Sequence, residues 1–266
     1  MNKWQKRFDK LRDHPRPLRL VVGRLLWLAR VSPLFVVQMP RGFRIRFYPS
    51  SISAALWADP GSRREDEDFV WAVLRPGDRY VDAGANIGQL VLAASRRVGD
   101  TGQVLAVEAH PDVYRYLEGN LALNDVANVR AVHCALGAEV GEVTFTSRRS
   151  DDQNYVSDDG AVRVPMRPLD EVGVTTPVRL LKLDVEGYEL PVLQGAARTL
   201  AETAMVYCEL SASKCARFDY EPERVEELLL GHGFVFLRWV DGAPTVSSTP
   251  YFASLPENQL PATGYN

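Results

Sequence analysis

Between residues 79 and 210 the chain alternates short apolar runs with amphipathic segments, and this alternation constrains the fold more than any other feature. The apolar runs have the length of buried strands, and the segments after the first two carry apolar residues at helical spacing. Such alternation is typical of a parallel sheet covered by helices on both faces. We therefore predict a doubly wound α/β fold with a mostly parallel, seven-stranded sheet. Its predicted strands lie at 80–81, 104–107, 129–135, 178–183 and 205–210, with an antiparallel pair at 234–240 and 251–255.

The first fifty residues differ in charge from the rest of the chain. They contain twelve Lys or Arg and two Asp, whereas the whole chain has a net charge of −3. Trp4, Phe8 and Leu11 recur at helical spacing among these basic residues, as in a basic amphipathic helix. We therefore divide the chain into a basic N-terminal extension at 1–66, with a helix and then an edge strand, and a main domain at 67–266.

The basic segment has two interpretations. It either contacts anionic lipid at a membrane surface or packs as an ordinary surface helix on the acidic remainder of the chain. Arg24, Arg30 and Pro33 interrupt the apolar stretch at 20–37, and because a mid-bilayer arginine costs about 3 kcal/mol we expect no spanning helix. No apolar run ends in a small-residue cleavage site, and the three cysteines lack CxxC spacing. We therefore expect a cytoplasmic protein, with peripheral membrane contact as an option.

The motif VDAGANIG at 81–88 lies between the first predicted strand and its helix. In sheets of this class, ligands bind at the carboxyl ends of the strands, near the point where the strand order reverses. Gly84 allows the backbone to turn sharply, and Gly88 allows the helix to approach closely. Asp82 and Asn86 place polar groups beside a ligand. The motif therefore predicts one wall of a binding site.

Glu108 ends the next predicted strand, 20 residues after Gly88. A carboxylate at this place can accept hydrogen bonds from both ribose hydroxyls, which predicts a nucleoside pocket. The glycine spacing differs from GxGxxG, the pattern that admits a pyrophosphate. S-adenosylmethionine has no phosphate and carries a sulfonium and an amino group, so the acidic loop favours it over a nicotinamide or flavin dinucleotide.

A second motif, LLKLDVEGYE at 180–189, begins as a buried strand and ends in carboxylates. Asp184 stands at the end of this strand, facing the loop after the first strand. We assign Asp184 and Glu186 to catalysis, as groups that orient an acceptor hydroxyl or take up its proton. The alternative for Glu186 is that it only favours the start of the next helix through the helix dipole, and for Glu189 we prefer that interpretation.

Glu209, at the end of the fifth predicted strand, adds a carboxylate at the same edge, and we assign it to acceptor binding. Asp184, Glu186 and Glu209 offer oxygen ligands that would suit Mg²⁺. The simpler interpretation is a hydrogen-bonded carboxylate that lines the acceptor pocket. We therefore predict no resident metal and keep Mg²⁺ as the alternative.

The polar stretch at 147–160 is too long for a plain connection in a compact domain. Loops of this length are usually functional or disordered. We assign Asn154 and Tyr155, within this stretch, to binding of the acceptor. The sequence contains no GxSxG elbow and no apparent Ser-His-Asp set, so it gives hydrolase chemistry no support.

Six short motifs together resemble the FkbM family of methyltransferases. They are VDAGANIG at 81–88, EAHP at 108–111, NLALN at 120–124, ALG at 135–137, PLD at 168–170 and KLDVEGYEL at 182–190. The resemblance covers roughly residues 67–209, and the last motif is the most distinctive. It implies a class I, Rossmann-like fold that transfers a methyl group from S-adenosylmethionine to a hydroxyl, typically on a sugar or a polyketide-like natural product.

The same resemblance assigns residues to the two sides of the site. Asp184 and Glu186 lie beside the acceptor. Those that line the cofactor are Asp82, Gly84, Asn86, Gly88 and Glu108, to which we add Ala135 of the motif ALG. The chain departs from the family at Ala109, where proline is often found, and this change affects loop rigidity more than chemistry.

Other functions stay open beside this one. A methyltransferase that acts on RNA usually needs a basic face, whereas the main domain is acidic, so we expect no nucleic-acid partner. A protein acceptor is a further alternative, although no Asn-Pro-Pro-aromatic motif for amino-group methylation follows the fourth strand. A non-catalytic binding module of the same fold would not need intact cofactor and carboxylate motifs. The sequence specifies neither the acceptor nor the oligomeric state.

Overall fold

The computed structural model describes residues 16–146, 155–157, 160–240, 243–246 and 252–254. The helix expected around Trp4, Phe8 and Leu11 lies outside these residues. Within them, no helix combines the length and the hydropathy needed to cross a membrane.

The N-terminal elements are two helices that flank a small hairpin, followed by a third helix. They are α1 (Pro17–Leu28), β1 (Val36–Gln38), β2 (Arg44–Arg46), α2 (Ser51–Ala58) and α3 (Arg64–Val73). β1 and β2 pair antiparallel. The side chain of Ser50 accepts the N–H of Ser53 at 3.0 Å and so caps the start of α2. The strand expected in the N-terminal extension is present as β2, and its flanking residues Phe43 and Phe47 are buried.

In the described part of the chain the central sheet has eight strands, and five adjacent strands of it run parallel to one another. The parallel strands are β3 (Arg79–Ala83), β4 (Gln103–Glu108), β5 (Val129–His133), β9 (Leu180–Leu183) and β10 (Met205–Cys208). Their order in space is β5, β4, β3, β9, β10. The strand order therefore reverses between β3 and β9, which is where an open sheet of this class binds its ligand.

Three antiparallel strands complete the sheet beyond β10. They are β11 (Val235–Val240), β12 (Ala243–Val246) and β13 (Phe252–Ser254). β13 lies between β10 and β11 and pairs antiparallel with both, so the expected antiparallel pair is present. β12 pairs with the outer side of β11 and makes the sheet one strand larger than expected. This short strand contains Pro244, which a sheet tolerates at its edge.

Successive residues of each central strand point to opposite faces, and each face carries its own layer of helices. Tyr80 and Leu180 pack with α3, α4 (Gln89–Val98) and α5 (Pro111–Leu123). Val81 and Leu181 pack with the helices of the other face. These are α6 (Glu189–Gln194), α7 (Ala197–Ala201), α8 (Ala212–Cys215) and α9 (Pro222–Gly231). The prediction of a doubly wound sheet is therefore confirmed.

A second, three-stranded sheet was not expected from the sequence. It contains β6 (Ala135–Leu136), β7 (Gly141–Phe145) and β8 (Val162–Arg167) in the order β6, β8, β7. The segment expected as one strand at 129–135 ends as β5 at His133, and the chain enters the second sheet at Ala135. In β8, residues at alternate positions are buried, and this period-two pattern was the signal that we missed.

Two asparagines of the motif NLALN attach the N-terminal hairpin to α5. The Oδ1 atom of Asn120 accepts the N–H of Arg46 at 2.8 Å, and its Nδ2 donates to the carbonyl of Ile87 at 2.8 Å. Asn124 accepts the N–H of Arg44 at 2.7 Å. Apolar residues of the hairpin also share one core cluster with residues of α4 and α5. The hairpin is therefore built into the same packed unit as the helices beside the cofactor loop.

Candidate active site

A cavity of about 600 Å³ opens at the carboxyl ends of β3, β4 and β9. It lies at the reversal of strand order, as expected for this fold. Eight of the eleven predicted site residues line it: Gly84, Asn86, Glu108, Ala135, Tyr155, Asp184, Glu186 and Glu209. Asp82 and Gly88 lie behind the wall, and Asn154 lies outside the described residues. The structure thus brings the predicted cofactor side and acceptor side to one opening.

The carboxylate of Glu108 is held by two backbone groups. Its Oε2 accepts the N–H of Asn86 at 2.9 Å, and its Oε1 accepts the N–H of His110 at 2.8 Å. The side chain is largely buried but borders the cavity. A carboxylate oxygen can accept more than one hydrogen bond. Two oxygens fixed in this way therefore suit a pair of neighbouring hydroxyl groups.

Gly84 allows the ends of β3 and β9 to meet. Its φ is +84°, and a Cβ atom at this position would lie 2.0 Å from the carbonyl oxygen of Asp184. The N–H of Asp184 in turn donates to the carbonyl of Ala83 at 3.0 Å. Asn86 has a φ of +48°, a conformation that asparagine adopts more readily than most residues. The loop after β3 therefore requires the residue types that the motif supplies.

Gly88 has a related role one turn further along. It is the N-cap of α4 with a φ of +87°, and a Cβ there would lie 2.6 Å from Cδ1 of Leu117. The predicted close approach is thus an approach of the start of α4 to α5. Gly88 shapes the loop and does not border the cavity, so its direct contact with a cofactor stays a prediction.

Asp82 takes part in a buried ion pair beneath the loop. Its Oδ1 accepts a hydrogen bond from Nζ of Lys182 at 2.9 Å, and its Oδ2 accepts one from the Tyr80 hydroxyl at 3.0 Å. Nζ of Lys182 also lies 3.4 Å from the carbonyl oxygen of Gly84 and 3.8 Å from Oδ2 of Asp184. Direct binding of a cofactor by Asp82 stays a prediction. The geometry shows a positioning group that acts through Lys182.

Charge and burial act in opposite directions on this pair. Burial raises the pKa of Asp82, and the ammonium of Lys182 partly offsets that rise. Burial alone would lower the pKa of Lys182, but the carboxylates of Asp82 and Asp184 outweigh it, so the pKa of Lys182 is raised. The cationic form of Lys182 is therefore favoured, and its ammonium group lies beneath the loop after β3.

A second cation, Lys214, lies between two acceptor-side carboxylates. Its Nζ is 3.2 Å from Oε2 of Glu186 and 3.6 Å from Oε1 of Glu209. Burial raises the pKa of Glu186, and the nearby Asp184 adds to the rise while Lys214 opposes it. Among the described residues, no group of three or more His, Cys, Asp or Glu side chains is arranged to hold a metal ion. The cation between Glu186 and Glu209 in this structure is an ammonium group.

The turn that carries Glu186 is held from behind by Glu189, which is buried at the start of α6. Its Oε1 accepts the N–H of Val185 at 3.3 Å and that of Gly187 at 3.1 Å. The hydroxyl of Tyr220 lies 2.7 Å from the Gly187 carbonyl oxygen and 3.2 Å from Oε2 of Glu189. Glu189 thus fixes this turn, and its effect on the start of α6 through the helix dipole stays a prediction.

Several functional residues were missed from the sequence. Lys182 belongs to the motif at 182–190, but we assigned it no role. A lysine inside an apolar strand indicates a buried charge that needs a partner. No local pattern points to Lys214, because only the fold brings it to Glu186. Arg217 contributes at the rim, where its guanidinium lies 4.4 Å from the centre of the Tyr155 ring. Arg63 also lines the cavity.

Known proteins resemble this chain along the part that builds the site. The family profile described as "Methyltransferase FkbM domain" matches residues 82–236. "Methyltransferase 1" of Beauveria bassiana is 30% identical over 148 residues, which cover 45% of this chain and 59% of that protein. "Methyltransferase sdnD" of Sordaria araneosa is 31% identical over 153 residues, which cover 43% and 59%.

An archaeal relative carries a more specific name. "Hexuronic acid methyltransferase AglP" of Haloferax volcanii is 27% identical over 172 residues, which cover 62% of this chain and 62% of that protein. This chain therefore spans about 60% of the length of the curated relatives that it matches. The family profile alone covers more than half of the 266 residues.

The close approach at Gly84 generates a stability prediction. We expect Gly84→Ala to lower the free energy of unfolding clearly more than Gly42→Ala. Both glycines have positive φ, which costs an L-residue about 1–2 kcal/mol, but a Cβ at Gly42 would meet only the end of the Arg96 side chain, at 3.7 Å. Urea denaturation followed by circular dichroism measures both changes. Equal losses would show that the Asp184 carbonyl does not exclude a side chain at Gly84.

The buried ion pair generates a pH-dependent prediction. We expect Lys182→Met to lower the free energy of unfolding at neutral pH by roughly 3–5 kcal/mol, because Asp82 is left buried without its cation. The pKa of Asp82 in the folded variant then rises further above its value in the unfolded chain. The folded state holds a proton that the unfolded state releases, so the stability of the variant falls as pH rises through that interval.

The unfolding free energies of wild type and Lys182→Met at pH 5 and pH 8 check this sign. The gap between them should be wider at pH 8. The double variant Lys182→Met/Asp82→Asn is the control, since removal of the unpaired charge should restore part of the loss and flatten the pH dependence. A gap that is the same at both pH values would contradict the assignment.

Proposed function

The chain belongs to the FkbM family of S-adenosylmethionine-dependent methyltransferases, and from this premise we propose that it methylates a hydroxyl group of a sugar, glycan or natural-product acceptor. The observation that carries the proposal is the shared cavity, with Glu108 on one side and the carboxylates of Asp184 and Glu186 on the other. When bound, S-adenosylmethionine supplies an activated methyl group. The chain's own residues bind, orient and accept a proton.

The donor side fits a nucleoside with two free ribose hydroxyls. Glu108 presents two carboxylate oxygens whose positions are fixed by backbone N–H groups, and such oxygens accept hydrogen bonds from hydroxyls. The absence of a side chain at Gly84 leaves backbone beside the cavity, and Ala135 adds a small apolar surface. Lys182 fixes the carbonyl of Gly84 and with it the shape of this wall.

The acceptor side combines carboxylates with an aromatic wall. Phe145, Tyr155 and Tyr188 line the cavity together with Asp184 and Glu186. Largely apolar walls with a few placed polar groups are typical of sites for small molecules. The relative named as a hexuronic acid methyltransferase supports a sugar among the candidate acceptors. A protein or RNA acceptor is the alternative, but a cavity of this kind favours a small molecule over either of them.

The two carboxylates differ in their surroundings, and we assign them different roles. Asp184 lies 3.8 Å from the buried ammonium of Lys182 and orients the acceptor hydroxyl. Burial raises the pKa of Glu186, which makes it a better base than an exposed glutamate, and we assign it to take the proton that the hydroxyl loses. Most of the rate enhancement then comes from alignment of the acceptor oxygen with the methyl group, because the donor is already reactive.

The donor assignment predicts a binding result. Calorimetric titration should show saturable binding of S-adenosylhomocysteine and no binding of NADH. Glu108→Ala should weaken that binding by at least about tenfold, because it removes hydrogen bonds to a charged group. Glu118→Ala is the matched control, since Glu118 is exposed on α5. A wild-type protein that binds neither compound would favour a non-catalytic module of the same fold.

The acceptor assignment predicts a loss of turnover without a loss of donor affinity. Glu186→Gln and Asp184→Asn should each lower kcat by about 10²- to 10⁴-fold, with affinity for S-adenosylhomocysteine within a few-fold of wild type. The exposed Glu202→Gln is the control. Transfer of labelled methyl groups to a panel of sugar and polyketide hydroxyls measures the rates. Unchanged kcat would exclude these roles, and loss of activity after exhaustive chelation would favour Mg²⁺ at the carboxylates.

A further inference from the structure

The outer side of α1 and of the turn that follows it is apolar and exposed. Leu18 is 80% exposed, Leu25 60%, Leu28 67% and Leu34 78%. In α1 the exposed apolar residues follow one another at intervals of three and four, so they form one stripe along the helix. We call this stripe, together with Leu34, the α1 surface; its residues are Leu18, Val21, Val22, Leu25, Leu28 and Leu34.

The opposite side of α1 packs against the domain through Trp57, so the stripe faces away from the domain. Gly23 is buried, and a Cβ there would lie 2.6 Å from Cδ1 of Trp57. Nε1 of Trp57 donates to the carbonyl of Arg19 at 2.9 Å, and the Arg19 guanidinium lies 5.0 Å from the centre of the Trp57 ring. A rotation of the helix that buried its leucines would break these contacts.

Basic residues accompany the α1 surface. Arg24 and Arg30 are exposed on and just after the helix, and α1 itself contains no acidic residue. The first fifty residues of the sequence contain twelve Lys or Arg against two Asp. An apolar stripe on a cationic segment is the composition of helices that lie in the plane of a membrane interface.

We propose that the α1 surface docks on a membrane that contains anionic lipids. The leucines would enter the boundary between headgroups and acyl chains, while Arg24 and Arg30 contact lipid phosphates. Charge also favours a membrane over a second copy of the chain as the partner of this surface. A twofold contact through the α1 surface would bring the arginines of two copies together, and like charges in an interface oppose association.

The proposal connects the surface with the active site but does not depend on the proposed function. α1 packs against α2, and Ile52 of α2 lines the active-site cavity. One helix therefore separates the docking surface from the opening. Membrane binding is measured without any methyl acceptor, so a failed activity assay leaves its test intact.

The test is flotation of the full-length protein with vesicles. We expect the protein to float with vesicles of phosphatidylcholine and phosphatidylglycerol and to float much less with phosphatidylcholine alone. Leu25→Ser/Leu28→Ser should reduce binding by at least about tenfold, because two leucines leave the apolar phase. Arg24→Glu/Arg30→Glu should remove the preference for anionic vesicles, since each arginine near the surface strengthens binding about fivefold.

Matched controls separate this surface from apolar exposure in general. Val140 is 65% and Leu230 54% exposed, and both lie outside the α1 surface. Val140→Ser/Leu230→Ser should float like wild type, and the circular dichroism spectra of all variants should match. Equal flotation of Leu25→Ser/Leu28→Ser and wild type, or no flotation of wild type, would overturn the proposal. So would a wild-type dimer that Leu25→Ser/Leu28→Ser converts to a monomer in light scattering, because a second copy would then cover the stripe.

Discussion

A single ammonium group, that of Lys182, stands between the ends of the two strands where the order of the sheet reverses. It donates to Asp82 of β3 and lies near Asp184, which directly follows β9. It also lies near the carbonyl oxygen of Gly84. A buried charge without partners is costly, so these contacts are mutually required. The loop after β3 and the carboxylate of Asp184 therefore both depend on one side chain.

The turn at 185–187, which carries Glu186, is held by residues other than those of the loop after β3. Glu189 and Tyr220 hold the turn at 185–187 from behind, while Lys214 neutralises Glu186 from the rim. Asp184 and Glu186 are only two residues apart, yet each meets a different cation from a different part of the chain. The two neighbouring carboxylates are therefore balanced by separate counter-charges.

The fold class was predictable from the sequence because the alternation of strands and helices is a local pattern. The sharp turn after β3 was predictable because Gly84 and Asn86 have conformations that few residues adopt. Contacts between distant segments were not predictable in this way. Lys214 meets Glu186 only after folding. Asp82 shares a face of β3 with Tyr80, whose hydroxyl contacts it, and the direct contact of Asp82 with a cofactor stays a prediction. The second sheet was hidden because a polar stretch separates β7 from β8.

The second sheet has an evolutionary consequence. The ladder between β7 and β8 is complete within that hairpin, from Gly141 paired with Met166 to Phe145 paired with Val162. Phe145, Tyr155 and Val156 line the cavity. Insertions and substitutions at this end of the hairpin alter that wall without touching the central strands or Glu108. Under the proposed function, descendants of such a chain can therefore diverge in acceptor preference while they inherit the same donor chemistry.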